Sequence, residues 1–168
     1  MSAILHLSYL QALRIIHREH TMKLNTQEPE KIDRDRHLDV HSIFHTIQGE
    51  GPYCGHPAVF IRLAGCNLQC PGCDTEYTKG RQRMTHYQIL KEVRAKRGDA
   101  KTRLIVITGG EPCEYDLRAL SQTLLAHGYR VQIETSGTQP IRADDACWVT
   151  VSPKIKMAGG YEVLAETL

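Results

Sequence analysis

Residues 58–75 read AVFIRLAGCNLQCPGCDT: a short run rich in valine, phenylalanine, isoleucine and leucine, followed at once by three cysteines spaced C-x3-C-x2-C. The run has the composition of a strand, and the polar, glycine-bearing segment after it has that of a loop rather than a hydrophobic face. The chain holds six cysteines, and the other three, Cys54, Cys113 and Cys147, stand singly. That distribution fits ligands plus incidental thiols better than a framework of disulfides, and it implies a reducing, cytoplasmic setting. Three closely spaced thiolates can hold three irons of a [4Fe-4S] cubane and leave the fourth iron open for chemistry. A zinc site is the alternative, and it needs a fourth ligand, which one of the nine histidines could supply. Buried thiols that merely pack are the third reading.

Working outward, the chain alternates strand and helix patterns from about Asp39. VHSIF (40–44), AVFIRL (58–63), RLIVITGG (103–110), YRVQIET (129–135) and CWVTVS (147–152) read as strands. Thr85 with Gln88 three residues later predicts a capping box that opens a helix through Ile89, Leu90 and Val93 and stops before Gly98. Leu117, Leu120, Leu124 and Leu125 form one apolar stripe of a second helix, closed by Gly128. The order predicts an α/β fold with parallel strands. In such sheets ligands bind beyond the carboxyl ends of the strands. Four polar or glycine-rich segments, GCNLQCPGCDT, TGGEP, ETSGT and SPK, each follow one of these strands and are expected to open on one rim.

Length and composition are consistent with this reading. At 168 residues, with 41% hydrophobic and 24% charged residues, the chain has the make-up of one globular core. No apolar run approaches the roughly 20 residues of a membrane span. A net charge of +2 is too small to mark a nucleic-acid binder. Apolar residues at Ile4, Leu7, Leu10, Leu13 and Ile16 predict a short amphipathic helix over 4–17, and Ser8, Gln11 and Arg14 within it argue against a secretory leader. Residues 17–37 are polar and mixed in charge and read as a flexible linker.

C-x3-C-x2-C after a strand, with TGGEP at a later strand end, resembles the radical S-adenosylmethionine enzymes. In these the open iron chelates the cofactor's methionine moiety, and reduction cleaves the sulfonium. SIFHTIQGEGPYCGHPAVFIRLAGCNLQCPGCDT (42–75), followed in order by TGGEP, ETSGT (ETNGT in most of the family) and VSPK, is similar to the 7-carboxy-7-deazaguanine synthases within that superfamily. The likeness runs from Val40 to Lys156. It implies a partial (β/α) barrel with parallel strands and the conversion of 6-carboxy-5,6,7,8-tetrahydropterin to 7-carboxy-7-deazaguanine with release of ammonia, a step in queuosine and other 7-deazapurine biosynthesis.

By the same resemblance Cys66, Cys70 and Cys73 hold the cluster, and Thr75 takes Mg2+, its hard oxygen suiting a hard cation. Gly72, Cys73 and Asp74, then Gly109, Gly110 and Glu111, then Glu134 and Ser136, and lastly Ser152, Pro153 and Lys154 contact S-adenosylmethionine. The methionine ammonium is received by the Glu111 carboxylate or by a carbonyl of its turn. Ile47, Gln48, Gly49, Glu50, Arg62 and Thr108 are the substrate residues, Arg62 because a guanidinium forks onto a carboxylate such as the pterin's. Cys54, Cys113 and Cys147 are structural, and His41, His45 and His56 show no ligand spacing.

Further implications are a homodimer and an electron donor such as flavodoxin, with no nucleic-acid or membrane partner. An N-terminal extension over 1–38, partly flexible, would precede a core domain over 39–168 that is shortened at its C-terminal end. Two other functions compete: an activase of glycyl-radical enzymes, and an iron-sulfur or zinc-binding module without catalysis.

Overall fold

A computed structural model of the chain describes residues 37–98 and 101–154. The predicted helix over 4–17 and nearly all of the predicted linker lie outside the described residues. Within them the chain forms β1 (Leu38–Ile47), β2 (Pro57–Leu63), β3 (Gln82–Met84), α1 (His86–Lys96), β4 (Leu104–Gly109), α2 (Arg118–Ala126), β5 (Arg130–Thr135) and β6 (Trp148–Val151), with 3-10 turns at Gly51–Tyr53 and Pro112–Glu114.

These strands make one six-stranded sheet in the order β3-β1-β2-β4-β5-β6. β2, β4, β5 and β6 run parallel, as expected; α1 lies in the crossover from β2 to β4 and α2 in that from β4 to β5, while residues 136–147 link β5 to β6 without a helix. β1 departs from the all-parallel expectation. It pairs antiparallel with β2, Phe44 opposite Phe60, and with β3, Asp39 opposite Arg83. Only nine residues separate β1 from β2, too few for a crossover, so the pair closes as a hairpin-like unit.

Alternation along the parallel strands sorts their two faces. Val59, Ile61, Leu63, Ile105, Ile107, Val131 and Ile133 enter the main core with Ile89, Leu90 and Val93 of α1 and Leu120 and Leu124 of α2. The opposite face begins with a smaller cluster of Ala58, Leu104 and Val106, flanked by Tyr53 and Phe60, and turns polar toward the carboxyl ends. Burial is nearly complete on the helix side, with Ile61, Leu63, Ile105, Ile107 and Ile133 all at 0% exposure; at roughly 25 cal/mol per Å2 of apolar surface this side supplies most of the drive to fold.

Both helix boundaries follow local chemistry. Thr85 Oγ1 accepts from the Gln88 amide at 3.3 Å while Gln88 Oε1 accepts from the Thr85 amide at 2.8 Å, completing the predicted capping box. Gly128 adopts φ +76° after α2, and its amide and that of Tyr129 donate to Leu125 and Leu124 carbonyls. Among the described residues no helix is long and apolar enough to cross a membrane.

Candidate functional site

Four strands deliver their carboxyl-terminal loops to one rim, and the loops enclose a cavity of about 440 Å3. Its wall is built from Cys66, Leu68, Cys70, Gly72, Cys73, Asp74, Thr75 and Tyr77 after β2, Thr108, Gly109 and Gly110 after β4, Glu134, Thr135 and Ser136 at the end of β5, and Ser152 and Lys154 after β6; Glu50 joins from the loop between β1 and β2. The expectation of a shared rim is met in full.

The cysteine loop is closed by its own backbone. The Gly65 amide donates to the Tyr77 carbonyl at 2.8 Å, and the Tyr77 hydroxyl, on a ring 1% exposed, donates back to the Leu68 carbonyl at 3.3 Å. Cys66, Leu68 and Tyr77 form a small apolar cluster with Cys70 and Cys73 packed against it. The three sulfurs thus share one dry wall. Burial pushes the Cys66 thiol up to about 12, and it raises that of Cys70, against which the Lys154 ammonium works in the opposite direction.

A [4Fe-4S] cluster fits this donor set. Among the described residues no three His, Cys, Asp or Glu side chains converge on one point as a single ion requires, whereas a cluster takes each thiolate on a different iron. An apolar wall on one side and a polar cavity on the other leave room for a further ligand.

Backbone is brought unusually close here. A Cβ on Gly110 would lie 2.0 Å from the Gly65 carbonyl oxygen and 2.8 Å from Cys66 Cβ, and one on Gly109 would lie 2.2 Å from the Leu63 oxygen. Only glycine permits that approach. The Gly110 amide donates to Leu63 O at 3.2 Å and the Glu111 amide to Gly65 O at 3.0 Å, so the β4 turn is laced to the base of the cysteine loop.

Glu111 corrects one expectation. Its side chain is 1% exposed and lies outside the cavity wall. Oε1 accepts from the Cys113 amide at 3.0 Å and Thr135 Oγ1 at 2.6 Å; Oε2 accepts from the Ser136 amide at 2.8 Å and the Ser136 hydroxyl at 2.5 Å. The carboxylate is occupied in joining the β4 and β5 loops. Ser136, 9% exposed, spends its hydroxyl on Glu111 and Thr138, and Asn67 of the cysteine loop donates to Thr138 at 3.1 Å. The Asn67 Oδ1 is buried without a partner.

Of the expected substrate residues, Glu50 and Thr108 line the cavity. Arg62 sits just outside it. Its Nη1 donates to Thr75 Oγ1 at 2.8 Å, its guanidinium carbon lies 5.8 Å from the Phe44 ring, and its Nε is buried without a hydrogen-bond partner. Thr75 Oγ1 in turn donates to Asp74 Oδ1 at 3.1 Å. Gln48 is 1% exposed and stands behind the cavity wall, its Nε2 donating to Glu134 Oε1 at 2.8 Å and its Oε1 accepting from the Glu50 amide at 2.9 Å. Ile47, 65% exposed, Gly49 and Pro153 do not line the cavity either.

Of the remaining cysteines, Cys54 is exposed, its thiol donating to the Gly49 carbonyl at 3.3 Å. Cys113 is part of the main core, Cys147 packs against it, and all six thiols are free. His45 meets Thr102 Oγ1 at 3.3 Å and His56 the Tyr53 carbonyl at 3.0 Å, away from the cavity. Sequence reasoning missed Tyr77, Thr135 and Gln132, whose importance lies in contacts made across the fold.

Comparison with known proteins gives the same picture. The radical SAM superfamily model matches residues 60–147. The 7-carboxy-7-deazaguanine synthase of Escherichia coli (strain K12) is 42% identical over 148 residues, covering 77% of this chain and 66% of the relative. Those of Buchnera aphidicola subsp. Schizaphis graminum and Rickettsia prowazekii are 42% and 44% identical, covering 69% and 78% of this chain and 62% and 57% of theirs. The chain spans less than two thirds of the length of these curated relatives. The crystal structure of QueE from Escherichia coli superposes with a TM-score of 0.71 at 38% identity, over 78% of this chain and 67% of that one.

Proposed function

This chain belongs to the radical SAM superfamily, and from that premise we propose that it is a carbon-nitrogen lyase that converts 6-carboxy-5,6,7,8-tetrahydropterin to 7-carboxy-7-deazaguanine with release of ammonia. One observation carries the reading: three cysteines and the loops of three further parallel strands line a single cavity, with Glu50 and Thr108 on the same wall. The names of the similar proteins support the choice of reaction within the superfamily. When bound, the [4Fe-4S] cluster and S-adenosylmethionine together supply a carbon radical by one-electron cleavage of the sulfonium.

The chain's own residues bind, orient and exclude water. Cys66, Cys70 and Cys73 hold the cluster against the apolar patch of Leu68 and Tyr77, which keeps solvent from its buried side. Gly72, Asp74, Gly109, Gly110, Glu134, Ser152 and Lys154 contact the nucleoside and methionine parts of the cofactor across the cavity. Glu111, Thr135 and Ser136 act one layer back, holding the β4 and β5 loops in register through three hydrogen bonds.

Arg62 receives the pterin carboxylate. Its unpartnered Nε and its Nη groups form the fork such an acceptor needs, and the burial of Nε makes that partner worth more than at a wet surface. Glu50 accepts from the donor edge of the aminopyrimidinone ring. Thr75, with the Asp74 carboxylate beside its hydroxyl, would offer a hard oxygen to Mg2+. An external donor of the flavodoxin kind supplies the electron, and the working assembly is a cytoplasmic homodimer.

The test is anaerobic turnover. Reconstituted protein with reductant, S-adenosylmethionine, Mg2+ and 6-carboxy-5,6,7,8-tetrahydropterin is expected to yield both 7-carboxy-7-deazaguanine and 5'-deoxyadenosine by mass spectrometry. Deoxyadenosine without deazaguanine would refute the substrate assignment and leave radical chemistry on another partner, such as a glycyl-radical enzyme. Neither product, with the cluster verified, would reduce the chain to a metal-binding module.

A further inference from the structure

Gln132 lies in the middle of β5, at 0% exposure, on the sheet face opposite the helices. Its register neighbours are Val106 on β4 and Trp148 on β6, so an apolar side chain would suit the position. Instead the amide donates through Nε2 to Thr150 Oγ1 at 2.8 Å and, more weakly, to the Glu50 carbonyl at 3.4 Å, while its Oε1 is buried without any partner. An orphaned buried acceptor is a cost to stability. The gain that accompanies it is a donor aimed at the loop that carries Glu50.

The same loop is held from its other side. Gln48 ties Glu134 of β5 to the Glu50 amide, so one glutamine grips the amide of Glu50 and another its carbonyl. Between them Gly51, at φ +67°, presses so closely that a Cβ would meet Thr150 Oγ1 at 2.6 Å and Gln132 Nε2 at 3.0 Å. Glu50 lines the cavity, and its side chain takes no hydrogen bond among the described residues. The two glutamines therefore fix its backbone, the point from which the carboxylate reaches.

We propose that Gln132 is a positioning residue: with Gln48 and Thr150 it latches the 48–51 loop onto β5 and β6 and so determines where Glu50 stands at the cavity. The consequence for substrate affinity rests on the function proposed above, whereas the latch itself does not.

The experiment uses the full chain and Gln132→Met, which keeps length and volume but removes the donor. Hydrogen exchange at the amides of residues 49–51, followed by mass spectrometry, is expected to speed up about tenfold, the equivalent of one net hydrogen bond, with peptides from β4 and α2 unchanged. Thr150→Val, which removes the hydroxyl that orients the amide, is expected to act in the same direction and serves if the first variant folds poorly. Unchanged exchange at 49–51 in a folded variant overturns the latch. In turnover with the pterin, KM is expected to rise about tenfold with uncoupled deoxyadenosine formation unchanged, and the effect to vanish in a Glu50→Gln background. A KM that does not move, in a wild type that turns the pterin over, overturns the role in substrate positioning. If wild type makes no deazaguanine, the substrate assignment has failed and exchange alone decides the latch.

Discussion

Gly110→Ala is the sharpest single perturbation of the site, because the added Cβ meets backbone rather than a flexible side chain. It would sit 2.0 Å from the Gly65 carbonyl oxygen, 2.7 Å from its carbon and 2.8 Å from Cys66 Cβ. Reaching an ordinary contact of 3.4 Å requires the β4 turn and the cysteine loop to part by about 1.4 Å, the difference between the two distances. That movement breaks the Glu111 amide bond to Gly65 O, now 3.0 Å. Overpacking of this kind costs about 1–3 kcal/mol and the lost hydrogen bond about 1 more, so a destabilisation of about 2–4 kcal/mol is expected. Cys66 moves with Gly65, so cluster retention should fall as well.

Gly49→Ala is the control, since nothing lies within 4 Å of its Cβ position; its effect should stay within about 0.5 kcal/mol. Anaerobic denaturant unfolding of the metal-free proteins, with iron and sulfide content after reconstitution, measures both effects. A Gly110→Ala protein with native stability and full cluster loading would show that the close approach of the two loops is not what shapes the site.

Other outcomes follow from single residues. Arg62→Ala is expected to raise KM for the pterin by about ten- to hundredfold, the loss of a charge-assisted pair, while uncoupled cleavage of S-adenosylmethionine persists; equal loss of both activities would remove the carboxylate role. Thr85→Ala breaks the capping box of α1 and should lower stability by about 1 kcal/mol in denaturant unfolding without changing cluster content. In the metal-free protein, burial pushes the Cys113 and Cys147 thiols up to about 12 and about 11 from an ordinary value of 9.0. The folded state keeps protons that the unfolded state releases, so stability is full below about pH 9 and falls as pH rises from there toward 11 to 12. Cys113→Ala should make that fall shallower in pH-dependent unfolding, and an unchanged slope would refute the assignment.

The pattern of hydrophobic residues made most of this architecture legible. Val59, Ile61 and Leu63, or Ile105 and Ile107, alternate because one face packs on helices, and each run ends in a loop rich in glycine, serine or acid where the sheet stops. The capping box at Thr85 was readable because its chemistry is confined to four residues. β3 was not: Gln82–Met84 has only three residues, two of them exposed and polar, and exists because β1 offers an edge. The antiparallel setting of β1 follows instead from the nine-residue link that folds it back onto β2.

In the site, the cysteines were legible from their spacing and Thr108, Gly109 and Gly110 from their place at a strand end, whereas Gln48, Glu111 and Gln132 were not legible in orientation. Each is a polar residue whose partner lies 18 to 86 positions away, Thr150 for Gln132, Thr135 for Glu111 and Glu134 for Gln48 among them. Periodicity reports which face a residue takes, and says nothing about which distant group receives its hydrogen bond.

If Cys66, Cys70 and Cys73 hold a cluster at the rim cavity, its open iron should take S-adenosylmethionine. Electron paramagnetic resonance of the anaerobically reduced protein, recorded before and after addition of the cofactor, tests it most directly. A cluster signal is expected that shifts on addition in wild type and is abolished in Cys66→Ser, Cys70→Ser and Cys73→Ser, while Cys147→Ser keeps it. A signal indifferent to S-adenosylmethionine, or one that survives loss of any of the three cysteines, would contradict it.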